Sequence, residues 1–249
     1  MPTALIFGGS GKVARHLTTL LVSRSTTVHS IIRNPEQIPS LKSLGAHPIV
    51  EDIETASVPE LASTITTAAA DVVIWCAGAG AGSPDRTGAV DRDGAIKSFD
   101  ATAKAGVKRY LIVSALDVRD RENKPVPEWY DEQDKQRSDR VWGVIKPFME
   151  AKLAADTNLV TQNSTRELEY TIVRPGGLTQ DPAVGKVAAG KVHLGTMISR
   201  EDVAAAIVAA IDEPKTIGLA FDVVGGDVPV ADAVRGAAER GDDTFEGHY

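Results

Sequence analysis

Gly8, Gly9, Ser10, Gly11, Lys12, Val13 and Ala14 follow a short apolar run, TALIFG (Thr3 to Gly8), and lead into the stretch VARHLTTLLVSR. Glycines let a backbone turn sharply and come close to an anion. A helix that starts just after them offers unpaired N–H groups and the positive end of its dipole. The spacing is Gly8-x-x-Gly11-x-x-Ala14, not the dinucleotide fingerprint whose first two glycines are one residue apart. The context gives it meaning. A buried strand precedes it, and Val13, Leu17, Leu20 and Leu21 place one apolar face on the helix that follows. Ala14 is small enough for close packing of helix on strand. The expected role is a pyrophosphate cradle. Lys12 and Arg15 are near enough in sequence to assist or to be plain helix surface.

A second residue narrows the anion. TVHSIIR, Thr27 to Arg33, reads as the second strand and closes on Arg33, with Asn34 and Pro35 after it. In dinucleotide folds an acidic residue at about this distance, ~20 positions beyond the glycines, holds a ribose 2′-hydroxyl and favours NAD. A guanidinium there attracts a 2′-phosphate and can fork onto it, where a carboxylate would repel it. The expected cofactor is therefore NADP(H) rather than NAD(H). The alternative for Arg33 is a solvated charge at a strand end.

These residues need a frame, and the chain alternates strand and helix to its end. After the second strand, Pro35 to Gly45 reads as a short helix and His47 to Val50 as a short strand. Val58 to Ala69 reads as helix, DVVIWCAG (Asp71 to Gly78) as a strand buried on both faces, and GAGAGSPD (Gly78 to Asp85) as loop. Asp91 to Gly106 is helical and RYLIVSA (Arg109 to Ala115) a strand. Residues 117–138, rich in charge with Pro125, Pro127, Trp129 and Tyr130, read as a lid-like insertion. Asp139 to Asn163 reads as a long helix kinked or restarted near Pro147, and YTIVRPGG (Tyr170 to Gly177) as a strand. Val184 to Leu194 is a candidate for short strands. Glu201 to Asp212 is helix, LAFDVVGG (Leu219 to Gly226) strand, Val230 to Arg240 helix, and the tail from Gly241 weakly ordered.

The expected fold class is α/β, a doubly wound parallel sheet (Rossmann fold) with a small C-terminal substrate lobe. Residues 1–249 form a single NAD(P)-binding Rossmann domain in this reading, with 178–198 and 227–249 as the substrate-side lobe. Ligands of such sheets sit at the carboxyl ends of the strands. That rule gathers Gly8 to Ala14, Arg33, Asp52, Cys76 to Gly78, Ser114 and Arg174 to Gly177 along one edge.

Composition fits this frame. The 249 residues are 43% hydrophobic, enough for a large core, and the net charge of −7 without basic clusters argues against nucleic acid as a partner. The lone cysteine, Cys76, excludes an intrachain disulfide. No signal peptide pattern precedes the first strand and no apolar stretch reaches about 18 residues, so a cytoplasmic protein with no membrane partner is expected. The five histidines show no ligand spacing with one another or with Cys76, so no metal is expected. The expected partner is a small-molecule substrate, and the expected state a monomer or homodimer.

With these residues assembled, the chain resembles the atypical short-chain dehydrogenases/reductases, more narrowly the NAD(P)H-binding, NmrA-like and biliverdin-reductase-B-like proteins. The marks are ALIFGGSGKVARH, SIIRNP, VIWCAGAG, VDRDGAIKSFDATAKAGVKRYLIVSA, MEAKLAAD, YTIVRPGGLT and ISREDVAAAIVAAI, in that order along nearly the whole chain. The resemblance implies that Gly8, Ser10, Gly11, Lys12 and Val13 hold the pyrophosphate and Arg33 the 2′-phosphate. It implies that Asp52 and Ile53 flank adenine, and that Cys76, Ala77 and Gly78 line the adenosine ribose. Ser114 would sit by the nicotinamide and the substrate carbonyl. Lys152 would hold the nicotinamide ribose, and Pro175, Gly176 and Gly177 would cover the carboxamide.

The chain departs from that pattern at one position. Dehydrogenases of this superfamily pair a tyrosine with a lysine four residues on, and the lysine charge lowers the phenol's pKa for proton exchange during hydride transfer. Here Lys152 is in place but Phe148 stands at the tyrosine position. The proton must then come from another residue, with Tyr130, His193 and Ser114 as candidates, or from water onto a flavin-like or tetrapyrrole-like acceptor. The reading is an NADPH-dependent reductase acting on a small carbonyl, quinone or flavin-like acceptor, with Ser114, Lys152 and Tyr130 as catalytic candidates. The alternative is a catalytically silent NADP(H)-sensing module, and epimerase or dehydratase chemistry is a weaker third choice that also wants the tyrosine.

Overall fold

The structure, a computed structural model, describes residues 1–80 and 83–249, so the loop expected from Gly78 to Asp85 lies partly outside the described residues. The chain opens with β1 (Thr3–Phe7), α1 (Lys12–Ser23), β2 (Thr27–Ile32), α2 (Ile38–Lys42), β3 (His47–Val50) and α3 (Val58–Thr67). Then come β4 (Val72–Trp75), α4 (Pro84–Thr87), α5 (Ala95–Lys104) and β5 (Arg109–Val113). The second half holds α6 (Glu132–Thr161), α7 (Asn163–Arg166), β6 (Glu169–Pro175), β7 (Leu178–Thr179), β8 (Lys186–Gly190) and β9 (Ile198–Ser199). It closes with α8 (Arg200–Asp212), β10 (Ala220–Gly225), β11 (Val228–Pro229) and α9 (Val230–Arg240). The fold is α/β with mostly parallel strands flanked by helices, and packing divides it into two compact units, 1–112 with 158–170 and 113–157 with 171–249.

In the first unit the strands run parallel in the order β5-β4-β1-β2-β3. β4 is buried along its whole length, as a parallel strand covered on both faces must be, and Trp75 packs on Phe7 with ring centroids 5.4 Å apart. α1 buries Ala14, Leu17 and Leu21, the face expected from the sequence. α3 starts in a capping box: Glu60 N–H donates to the Ser57 hydroxyl, and Ser57 N–H donates to the Glu60 carboxylate. The helix expected over Pro35 to Gly45 is instead a 3-10 turn, Pro35–Gln37, followed by the five-residue α2, because Pro39 has no N–H to continue the ladder. The helix expected from Asp91 begins earlier, at Pro84, and passes through a π-helical stretch, Gly88–Gly94, into α5.

The second unit pairs β6 with β10 in parallel, while β8 is antiparallel to β10 and β11 to β8. The sheet is thus mixed at this side rather than wholly parallel. α6 starts at Glu132, seven residues before the expected Asp139, and breaks its helical angles at Ile145, two residues before Pro147. Pro147 has no N–H for the Gly143 carbonyl and its ring crowds that turn, which explains a kink on the N-terminal side of Pro147.

The tail expected to be weakly ordered is built into this unit. Thr244 N–H donates to Ala220 O at 2.7 Å, Asp120 N–H donates to His248 O at 2.8 Å, and Phe245 is buried. Arg174 donates to Thr244 O at 3.0 Å and lies 5.4 Å from the Phe245 ring centroid. Within 117–138, Trp129 meets both Tyr130 and His248 edge-on at 5.8 Å, and Arg119 bridges Asp117 and Ser138.

Candidate functional site

The glycine turn sits where the strand order reverses, between β1 and β4. Ligands of doubly wound sheets bind at such points, outside the carboxyl ends of the strands. Gly8 has φ +73°, and a Cβ on it would fall 2.5 Å from the Cα of Ala77 just beyond β4. A Cβ on Gly9 would meet Ser30 at 2.4 Å, and Gly11 N–H donates to Gly8 O at 2.9 Å to close the turn. The turn therefore needs glycine for close approach as well as for backbone angle. α1 then begins with no side-chain cap and no acidic residue in its first turn, so no carboxylate of that turn opposes an anion there. This arrangement fits a dinucleotide pyrophosphate, with Ser10, Lys12 and Val13 at the same helix start. Arg15 turns away and donates to the Ser40 hydroxyl at 3.1 Å.

The same edge carries the adenosine-side candidates. Cys76 is half-buried, with its N–H donating to Phe7 O, Ala77 is buried, and Gly78 is exposed. Asp91, buried in the π-helical stretch, accepts the Ala79 N–H at 2.9 Å and so fixes the chain after β4. Beyond β3, the Asp52 carboxylate accepts the Glu54 N–H and the Asp52 carbonyl accepts the N–H of Thr55 and Ala56, which forms a tight turn containing Ile53. Arg33 is exposed and donates to Glu54 Oε1 at 2.7 Å. Arg86 reaches the same oxygen at 3.1 Å. Glu54 and Arg86 were not singled out from the sequence. Glu54 is two residues from Asp52, but Arg86 carries no signal, since only the fold brings α4 back beside the loop after β3.

The second unit holds the remaining candidates. Ser114, directly after β5, donates its hydroxyl to the Asp156 carboxylate and its N–H to Val173 O. Lys152 is buried and donates from Nζ to Val113 O at 3.1 Å. Phe148, Lys152 and Asp156 lie four residues apart along α6, on one helix face, and Lys152 Nζ stands 5.7 Å from the Phe148 ring centroid. Burial pushes the Asp156 carboxyl up to about 6, against the pull of the Ser114 hydrogen bond and the charges of Arg174 and Lys152. Asp156 went unrecognised in the sequence, although its position four residues after Lys152 was a usable signal. Pro175 ends β6, its carbonyl accepting the Leu116 N–H. Gly176 and Gly177 follow, where a Cβ would meet Thr196 O at 2.9 Å and Met197 Sδ at 2.5 Å.

Tyr130 is buried. Burial, with the charges of Asp222 and Asp117, drives its phenol far above the ordinary value, so it remains a protonated hydroxyl. His193 donates or accepts at 2.6 Å with Asp134, which also accepts the Leu194 N–H, while Asp131 accepts the Asp134 N–H. Hydrogen bonds thus account for the cluster Asp131, Asp134 and His193 at the start of α6. Among the described residues no helix is long and apolar enough to cross a membrane.

Known proteins agree with this geometry. The family described as NAD(P)H-binding matches residues 8–214. A UPF0659 protein of Schizosaccharomyces pombe is 34% identical over 98% of either chain. YhfK of Bacillus subtilis, named as an uncharacterized sugar epimerase, is 35% identical over 92% of this chain and 97% of its own. Among solved structures, a Bacillus halodurans protein provisionally named as an NAD-dependent epimerase/dehydratase is 30% identical, with a TM-score of 0.78 over 95% of this chain and 100% of its own. The match over most of the chain, together with the uncapped helix behind a glycine turn at the strand-order reversal, places this chain in the NAD(P)H-binding family, in keeping with its resemblance to the atypical short-chain dehydrogenases/reductases.

Proposed function

We propose that this protein is an NADPH-dependent reductase that delivers hydride to a small carbonyl, quinone or flavin-like acceptor. The observation that carries this reading is the buried Ser114–Asp156 hydrogen bond beside Lys152. A buried carboxyl with a raised pKa costs stability, and such groups concentrate where proton transfer is needed. In this reading Gly8, Ser10, Gly11, Lys12 and Val13 bind the pyrophosphate and Arg33 the 2′-phosphate. Asp52 and Ile53 flank adenine, and Cys76, Ala77 and Gly78 line its ribose. Lys152 binds the nicotinamide ribose, and Pro175, Gly176 and Gly177 cover the carboxamide.

Bound NADPH supplies the hydride, and the protein's own part is the proton. When Asp156 is protonated the hydrogen bond reverses, its carboxyl O–H donating to Ser114 Oγ. Ser114 then gives its own proton to the acceptor oxygen as negative charge develops there and takes the Asp156 proton. The Asp156 carboxylate left behind recovers a proton through Ser114 after product leaves. Lys152 adds positive charge near the developing anion. Asp156 is thus a positioning and proton-storing residue that acts through Ser114.

A second reading is favoured by one specific contact. The phenyl ring of Phe148 occupies the place beside Lys152 Nζ where a phenol would stand, which suits a module that binds NADP(H) without turnover. The same residue weighs against sugar epimerase chemistry like that in the name of the Bacillus subtilis relative, since that too calls for a phenol. Mixing the purified protein with NADPH and a panel of quinones, flavins and small aldehydes, and following cofactor oxidation, separates the readings. Oxidation with one class supports the reductase. Tight NADPH binding with no oxidation across the panel supports the silent module.

A further inference from the structure

Two guanidinium groups, Arg33 after β2 and Arg86 in α4, share one carboxylate oxygen of Glu54 in the loop after β3. Arg33 Nη1 lies 2.7 Å and Arg86 Nε 3.1 Å from Glu54 Oε1. The backbone around Glu54 is held firmly: its N–H donates to Asp52 Oδ1, and Lys97 Nζ donates to Glu54 O and Ala56 O at 3.1 and 2.9 Å. Arg86 is held as well, donating from Nη1 to Ala79 O at 2.7 Å. The loop and Arg86 are stapled, while the Arg33 side chain is 55% and the Glu54 side chain 25% exposed. The Glu54 carboxylate can swing away from the two arginines while its backbone stays held.

We infer that Glu54 sets the choice between the two nicotinamide dinucleotides, its carboxylate acting as an internal occupant of a two-arginine site for the adenosine 2′-phosphate. This rests on the cofactor reading above and extends it to two residues, Glu54 and Arg86, beyond Arg33. A phosphate monoester carries close to two negative charges and several acceptor oxygens, so it matches two guanidinium forks. Glu54 brings only one charge and one shared oxygen. To admit the phosphate it must leave that oxygen's position, and it repels the phosphate for as long as it stays nearby. A ribose 2′-hydroxyl meets no such conflict, since a carboxylate accepts its hydrogen bond. Glu54 therefore narrows the preference for the phosphorylated cofactor that Arg33 and Arg86 create.

The test uses the full chain with adenosine 2′,5′-bisphosphate and adenosine 5′-monophosphate as probes, titrated calorimetrically at fixed ionic strength, with circular dichroism confirming that each variant is folded. Glu54→Gln keeps the side chain's size and removes its charge. It is expected to tighten the bisphosphate by about tenfold, the scale of one charge-assisted hydrogen bond, and to leave the monophosphate within about twofold. Arg86→Gln is expected to weaken the bisphosphate by about the same factor, again without moving the monophosphate. If Glu54→Gln moves both probes equally, or fails to tighten the bisphosphate, Glu54 is not the selector. If wild-type protein binds the monophosphate but shows no effect of the 2′-phosphate or of Arg86→Gln, the two-arginine site is wrong while the cofactor reading stands. If neither probe binds wild-type protein, the cofactor reading falls and this inference with it.

Discussion

Ser114, at the end of β5, donates its hydroxyl to the carboxylate of Asp156, a residue buried on the same face of α6 as Lys152 and Phe148. The dehydrogenase superfamily that the chain resembles pairs a phenol with the lysine four residues after it; this chain has Phe148 there and a carboxyl, Asp156, four residues after Lys152. In the reductase reading the pair joins the group that gives a proton to the acceptor to the group that stores one.

The first consequence is kinetic. Asp156→Asn and Ser114→Ala are each expected to lower kcat for NADPH oxidation by about 10²-fold, the usual scale for loss of a positioned acid, with NADPH affinity within about twofold. The pH profile separates a relay from mere packing. Wild-type kcat should fall as pH rises through about 6, where Asp156 loses its proton, and Asp156→Asn should lose that limb. Tyr130→Phe should leave the profile unchanged. If it removes the limb instead, the buried tyrosine is the proton source.

Stability carries the same signature. Asp156 titrates at about 6 in the fold against 3.8 unperturbed. A raised value means that the folded state binds the proton more tightly. The stabilisation is therefore fully present below about pH 4 and lost as pH rises through about 6. Asp222, pushed up to about 7 by burial against the pull of Arg174, acts in the same direction. Urea unfolding from pH 4 to 7 should show stability declining, and Asp156→Asn should flatten the decline by roughly 2 kcal/mol. An equal slope in the variant would show that Asp156 is not titrating in this range.

Phe148→Tyr tests whether the rest of the site is competent. The Phe148 ring already stands 5.7 Å from Lys152 Nζ, so a phenol there meets a positive charge that favours its ionised form. Reduction of small aldehydes should appear or rise by at least about tenfold, toward the usual contribution of a general acid. A folded, NADPH-binding variant with no gain would show that the acceptor side is not arranged for carbonyl chemistry.

Arg33→Asp should weaken NADPH by about tenfold or more while NADH changes by less than about twofold, because it removes one charge-assisted contact and adds a repelling charge. Titration of both cofactors decides it. An equal loss for both would mean that Arg33 supports the loop after β3 through Glu54 and does not read the phosphate.

The tail is structural. Phe245 is buried, stacks on Tyr249 at 4.8 Å and lies beneath Arg174, which also bonds Val118 O and pairs with Asp222. Phe245→Ala should cost about 3 kcal/mol in urea unfolding, in the range for removing a buried aromatic. A cost below about 0.5 kcal/mol, the level of a surface change, would show the tail to be dispensable.

The amino-acid sequence by itself determined the strand and helix alternation, the glycine turn and the replacement of tyrosine by Phe148. Each of these is local: periodicity, small residues at a turn and a four-residue spacing are properties of neighbours in the chain. It left the packing of the tail, the helical start at α4, the antiparallel direction of β8 and the strand β11 unread, because those depend on what a segment packs against. The buried Phe245, for example, looks like any other aromatic near a terminus until Arg174 is laid over it. Only the tertiary structure put Asp156 behind Ser114, 42 residues away, and set Arg33 and Arg86 on one oxygen of Glu54. The physical reason is the same in both cases. Charge and burial act through space, and parallel strands return distant segments to one edge of the sheet with no trace in sequence spacing.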